Sequence, residues 1–319
     1  MEQNQSNQKV NILIAAIAAV VTIGACVLVV FLINMSNNDE TAISDTPQIS
    51  ESSSESEEEE ISKEDAAKYD NNATKITTGG VHEITGSHSS IIVDTTEEVT
   101  LNLTDTTITS DGGPAIYIAN AKNANIVLNG TNNITTKTDD PLDGAIFSNV
   151  DLTLSGEGSL IVSSNEHAII SETIVTVNGG SYNLKAGSDG IHGDGMVIIN
   201  GGTFDINAEE GIEATYVKIN DGTIKIYATD DGINASDKSD DYDITFEMNG
   251  GTVSIEMADG DTDAIDSNGD LIVTGGTINI KAQSAFDYDG TSKYTGGTII
   301  INGETVNKIT NQMMGGPRR

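Results

Sequence analysis

The stretch GGTFDINAEEGIEATYVKINDGTIKIYATDDGINA, residues 201–235, says the same thing twice. Each copy runs from a glycine and a threonine through an alternating apolar segment to two acidic residues, a glycine and an isoleucine. The first copy ends at Ile212 and the second at Ile233, 21 residues apart. Alternation such as Val217 and Ile219, then Ile224 and Ile226, is the period-two signature of strands. The Gly-Gly and Asp-Gly pairs sit where a sharp turn is expected, at a positive φ that glycine adopts without strain.

Working outward, the unit recurs at TVNGGSYNLKAGSDGI (176–191), EMNGGTVSIEM (247–257), VTGGTINIKAQSAF (273–286) and YTGGTIIING (294–303). The isoleucines that close successive units are Ile116, Ile146, Ile169, Ile191, Ile212, Ile233 and Ile265, followed by Phe286. Short strands repeating every 21 to 23 residues predict an all-β parallel β-helix, because one coil cannot bury its apolar side alone and stacked coils can. Two longer intervals must hold loops. A propeller blade needs about four strands in roughly 40 residues, which this period does not supply. The absence of tryptophan and the presence of only five phenylalanines suit a thin interior of Val, Ile and Ala.

Stacking turns repeated positions into columns. Two residues before each closing isoleucine stand His167, Asp189, Glu210, Asp231 and Asp263. One residue after it stand His192, Glu213, Asn234 and Asp266, with Asp287 after Phe286. Carboxylates about 4.8 Å apart repel one another. Ca²⁺ takes oxygen ligands at about 2.4 Å, so an ion between two rungs spans about that spacing. Calcium is therefore the expected cofactor, with Asp189, Glu210, Glu213, Asp231, Asn234, Asp263, Asp266 and Asp287 as candidate ligands. An Asp that merely caps its own turn is the alternative at any one position. Zinc needs His or Cys; the four histidines show no close pairing in sequence, and His192 reads as a solvated turn residue. Tyr216, Tyr227, Tyr242 and Tyr288 are candidates for stacking on sugar rings.

The remaining segments read differently. Residues 1–9 are a short polar N-terminus, and Val10–Ile33 is a 24-residue stretch without a charged side chain, long enough to cross a bilayer. Charge flanks place the N-terminus in the cytoplasm and the bulk of the chain outside the cell. Cys26, in IGAC, leaves lipidation open as a second mode of anchoring; as the only cysteine it excludes an intrachain disulfide. Residues 34–70, with ESSSESEEEE at 51–60, predict an extended acidic linker. Its twelve acids and two lysines carry −10 of the chain's net charge of −34, leaving −24 on residues 71–319. Residues 71–305 are the expected β-helix and 306–319 a tail. So acidic a surface excludes nucleic acid as a partner. A monomer is expected.

At GGTFDINAEEGIEA and GGTIKIYATDDGINA the chain resembles a bacterial family of cell-surface carbohydrate-binding β-helix proteins, which are similar to polysaccharide lyases and bind cellulose and acidic sugars with calcium. The resemblance covers about residues 75–305. It implies a right-handed helix and a polysaccharide partner of pectin-like or cellulosic type. It also implies calcium on the acidic turns at Asp189, Glu210, Asp231 and Asp263, and further at Glu213, Asn234 and Asp266. Ala264 and Ser284 depart from the motif.

Three functions then compete: a polysaccharide-binding module on a stalk, a calcium-dependent lyase or hydrolase, and an adhesin or spacer. Lyases of this shape usually abstract a proton with arginine, and the only arginines here are Arg318 and Arg319. Lys218, Lys225 and Lys281 point outward among anions, which raises a lysine pKa and makes a poor base. Binding is the expected function and the chain is not expected to be an enzyme.

Overall fold

A computed structural model describes residues 72–137, 142–260 and 262–312. The expected membrane anchor, Cys26, the acidic linker through residue 70 and residues 313–319 lie outside them.

The quoted stretch folds as Thr203–Ala208, Glu210–Ile219, Thr223–Ala228 and Ile233–Ala235. Each strand pairs in parallel with its counterpart one turn away, and successive turns wind into a three-faced β-solenoid of about ten turns. On the first face the ladder of closing isoleucines is in strict register: Ile116 pairs with Ile146, Ile146 with Ile169, Ile169 with Ile191, Ile191 with Ile212, Ile212 with Ile233, Ile233 with Ile265 and Ile265 with Phe286. Ile91 extends this ladder by one more turn. All nine side chains are fully buried.

Alternation fixes which side chains enter the core. In Thr203–Ala208 and Thr223–Ala228 every second residue is buried. On this third face the inward column is Leu160, Tyr182, Phe204, Ile224, Val253, Ile278 and Ile299. Tyr182 and Phe204 stack with ring centroids 4.8 Å apart. Asparagines lock the turns between the second and third faces: the Asn200 amide donates to Asn178 at 2.9 Å, Asn220 to Asn200 at 2.8 Å, and Asn249 to Asn220 at 3.0 Å. Such a ladder satisfies amide groups that turn geometry would otherwise leave unpaired.

The two kinds of glycine do different work. The second glycine of Gly-Gly has a positive φ, 106° at Gly202, as the sequence leads one to expect. The glycine of Asp-Gly-Ile does not. A Cβ on Gly232 would lie 2.5 Å from the Ala264 carbonyl oxygen, so that glycine is needed for the close approach of the next turn rather than for its φ.

The last turn is closed by Glu304–Val306, antiparallel to Thr298–Ile301, which ends the run of open parallel edges. Beyond it the Gln312 amide donates to the Phe286 carbonyl, and Ile309 is buried.

Candidate metal centre on the acidic edge

Residues that follow the ladder isoleucines point out of the solenoid. At the N-terminal end these are apolar: Ile92, Tyr117, Phe147 and Ile170, covered by Leu142. From the next turn the same column becomes polar, and its register is His192, Glu213, Asn234, Asp266 and Asp287. Asp189 pairs with Glu210, and Asp263 with Ser284. All eight candidate ligands therefore lie along one edge. Despite pointing outward, Asp189, Glu213, Asp231, Asn234 and Asp266 are all buried.

Part of the cover is the insertion at 237–243. Its Lys238 and Ser239 amides donate to Thr215 Oγ1 at 3.0 and 2.9 Å. Lys238 Nζ reaches Glu213 Oε1 at 2.9 Å. Tyr242 packs over Gly195, leaving no room for a Cβ there.

The edge divides into two clusters. The first contains nitrogen. His192 is buried rather than solvated, with Nδ1 2.7 Å from Asp189 Oδ2 and 3.0 Å from Glu213 Oε2, and Nε2 3.0 Å from Asp194 Oδ1. His167 Nδ1 lies 3.1 Å from the same Asp189 oxygen. The two rings are 5.0 Å apart, so histidines with no close spacing in the sequence are neighbours in space. Burial alone would lower the pKa of His167, but hydrogen bonds to Asp143 and Asp189 outweigh it and raise it to about 9. For His192 the same contest, with Asp189, Asp194 and Glu213, ends well above the ordinary value. Burial would likewise raise Asp189 and Glu213, yet the histidines hold both below the usual carboxylate range.

Farther along the edge the row offers only oxygen to a cation, from Asp231, Asn234, Asp263, Asp266 and Asp287 on three successive turns. Burial, then the charge of Asp266, pushes Asp231 up to about 7. The side-chain oxygens Asn234 Oδ1 and Asp287 Oδ1 are buried and accept no hydrogen bond. A buried acceptor left unpaired costs about 1–3 kcal/mol, so a row of them is the arrangement a hard cation would satisfy. Glu210 stands between the clusters. It accepts from Asn234 Nδ2 at 3.1 Å, and burial followed by the charges of Glu213 and Asp189 raises it to about 8.

The raised acids have a measurable consequence in metal-free protein. Between about pH 4 and the raised values, the folded chain holds protons on Asp231 and Glu210 that the unfolded chain has released. Stability must then fall as pH rises. His167 and His192 act in the same sense, since their contribution is present below about pH 6.5 and lost as pH climbs through the raised value. In chelator, the melting temperature is expected to be lower at pH 8 than at pH 5.5; an equal or higher value at pH 8 would show that these acids are not buried together.

The remaining sequence candidates divide. Lys218, Lys225 and Lys281 pair with Glu247, Asp205 and Glu256 on the outer surface. Of the four tyrosines only Tyr227 presents an exposed ring; Tyr216 donates to Glu247, and Tyr288 hydrogen-bonds Ser292. Lys238 and Asp143 were not singled out by the sequence, since a single lysine in an acidic insertion and a lone Asp before a strand carry no spacing signal.

Comparison with known proteins adds the following. The solved polysaccharide lyase-like protein from C. thermocellum, determined as a gadolinium derivative, is 25% identical, with 74% of this chain and 87% of that chain covered and a TM-score of 0.49. No curated protein matches. The family model for carbohydrate-binding domain-containing proteins matches residues 70–299, most of the chain and all but the end of the solenoid, and the protein belongs to that family.

Proposed function

We propose that the protein is a membrane-anchored, extracellular, monomeric carbohydrate-binding module that takes an acidic polysaccharide through calcium held on the solenoid edge. The observation that carries this reading is the oxygen-only row at Asp231, Asn234, Asp263, Asp266 and Asp287, with its two buried acceptor oxygens lacking a hydrogen bond. Asp231, Asn234, Asp263 and Asp266, on adjacent turns, would hold an ion, with Asp287 on the next turn and Glu210 beside them. When bound, calcium would neutralise the row and present a positive charge to a uronate carboxylate. Without it, a domain carrying −24 gives an anionic polymer no reason to approach. A neutral glucan would call for an aromatic platform, and the exposed Tyr227 ring alone does not make one.

Calcium is expected to stabilise the fold. At free calcium about 100 times its Kd, mass action adds about 2.7 kcal/mol per site, which for a domain of this size is a rise of about 5–10 °C. Asp231→Ala should remove most of that rise and Asp237→Ala little of it, because Asp237 lies in the insertion. A differential scan of the full chain without any calcium shift would remove the ion from this account.

One observation favours a second reading, a hydrolase. Glu210 is raised and Glu213 lowered, a split that suits an acid and a base. Against it, both Glu213 oxygens are engaged, by His192, Lys238, Ser236 and Asn234, and the side chain is sealed from a sugar. Among the described residues, the nitrogen groups beside the row are poor bases for lyase chemistry. In metal-free protein the carboxylates raise His167 to about 9 and His192 well above its ordinary value, and Glu213 first among the charged groups raises Lys238 against the effect of its burial. Incubation with polygalacturonate and calcium should therefore yield neither new reducing ends nor the ultraviolet absorbance of unsaturated ends. Either product, lost on mutating Glu210 or Glu213, would establish an enzyme.

A further inference from the structure

The nitrogen-containing cluster has a construction that the oxygen row lacks. The ligand atoms of His167, Asp189 and His192 lie within 4.8 Å of one another. Asp189 Oδ2 is the hub: it meets His167 Nδ1 at 3.1 Å and His192 Nδ1 at 2.7 Å. Glu213 Oε2 approaches that same His192 nitrogen at 3.0 Å. Thus three side chains from two successive turns bring donor atoms within reach of one ion, and Glu213, one turn further on, joins them through His192 Nδ1.

Their other atoms are all held from behind. His192 Nε2 faces Asp194 Oδ1 at 3.0 Å, and His167 Nε2 faces Asp143 Oδ2 at 3.6 Å. Ser188 Oγ donates to Asp189 Oδ1 at 3.3 Å. Glu213 Oε1 receives Lys238 Nζ at 2.9 Å, Ser236 Oγ at 2.8 Å and Asn234 Nδ2 at 3.2 Å. A carboxylate on the far nitrogen of an imidazole fixes the proton there and leaves the near nitrogen's lone pair free. In metal-free protein the near nitrogens share their protons with Asp189 and Glu213, and a metal ion would displace those protons.

We propose that His167, Asp189, His192 and Glu213 form a closed, structural transition-metal site of the zinc class, separate from the calcium row. Two imidazole nitrogens and two carboxylate oxygens are a donor set for zinc, cobalt, nickel or copper; calcium and magnesium take oxygen alone. Two neutral histidines and two carboxylates balance the charge of a divalent ion. Bonds of about 2.0 Å in a tetrahedron put the ligands about 3.3 Å apart, and three of the six edges already stand at 2.7–3.1 Å. The most exposed of the four, His167, has 12% of its side chain accessible, which leaves no position open for substrate. The ion would rivet three turns of a fold that has no disulfide. Asp189 and Glu213, assigned to calcium from their columns, belong to this site instead.

The test uses the untagged full-length chain, stripped of metal and titrated with Zn²⁺ and separately with Co²⁺. One equivalent of each is expected to bind, cobalt with the intense visible bands of tetrahedral coordination, and millimolar Ca²⁺ is expected to displace neither. His192→Gln should abolish this binding. Because losing His192 can also disturb the fold, Asp194→Asn is the second variant: it keeps all four ligands and should weaken zinc by about 10–100-fold while its circular dichroism stays that of the wild type. Absence of stoichiometric binding, a six-coordinate cobalt spectrum, displacement by calcium, or unchanged affinity in both variants would overturn the proposal. The result is independent of whether any polysaccharide binds.

Discussion

Replacing Ile212 with aspartate is expected to abolish the folded solenoid. Ile212 sits in the middle of the nine-member ladder, fully buried between Ile191 and Ile233. Removing the aliphatic side chain alone costs about 2–5 kcal/mol in a packed core. An aspartate adds the desolvation of a carboxylate with apolar neighbours above and below, so the total takes most of the 5–15 kcal/mol by which a domain is normally stable. The strands cannot evade it by rotating, because a one-residue slip would turn every side chain of the strand to the opposite face. Far-UV circular dichroism with temperature is the check: loss of the β signal or of a cooperative transition is expected. Near-wild-type melting would mean that the inward face has been misassigned.

Most of that ladder was legible in the sequence because its signals are local. Gly-Gly-Thr, two alternating strands and Gly-Ile recur at a nearly fixed period, and stacking converts the period directly into register. The first turn was not legible. Ile91 follows Ser89 and Ser90 with no Asp-Gly turn before it, so the repeat had no punctuation there. The N-terminal part of the outer column was missed for a related reason. Tyr117, Phe147 and Ile170 point outward, where alternation predicts polar residues, and are buried by packing on one another and on Leu142.

The acidic edge was half legible. The columns predicted which residues share a vertical line, and the observed register follows them. They could not predict diagonal contacts. His167 stands two residues before its isoleucine and His192 one after, in different columns, yet both meet Asp189. Likewise Glu210 belongs to one column and Asn234, which donates to it, to the other. Side chains on a twisted edge reach across columns, and a one-dimensional period has no term for that. Burial was missed as well. His192 was read as a solvated turn residue, but it is buried, and beside it the insertion carrying Lys238 folds back over Glu213.

An anionic solenoid that binds an anionic polymer through its oxygen row needs calcium there. Coulomb repulsion alone predicts no association, and salt would only weaken that repulsion within a Debye length of about 8 Å without creating affinity. Calcium dependence should therefore be all-or-none rather than graded. Asp231 and Asp266 face the row, so the double substitution Asp231→Asn, Asp266→Asn should remove binding while leaving the isoleucine ladder intact. The measurement is the equilibrium affinity of the full-length chain for polygalacturonate, in calcium and in excess chelator. The account predicts saturable binding in calcium, none in chelator, and none for the double variant in either. Equal affinity with and without chelator, or binding retained by the folded double variant, would contradict it.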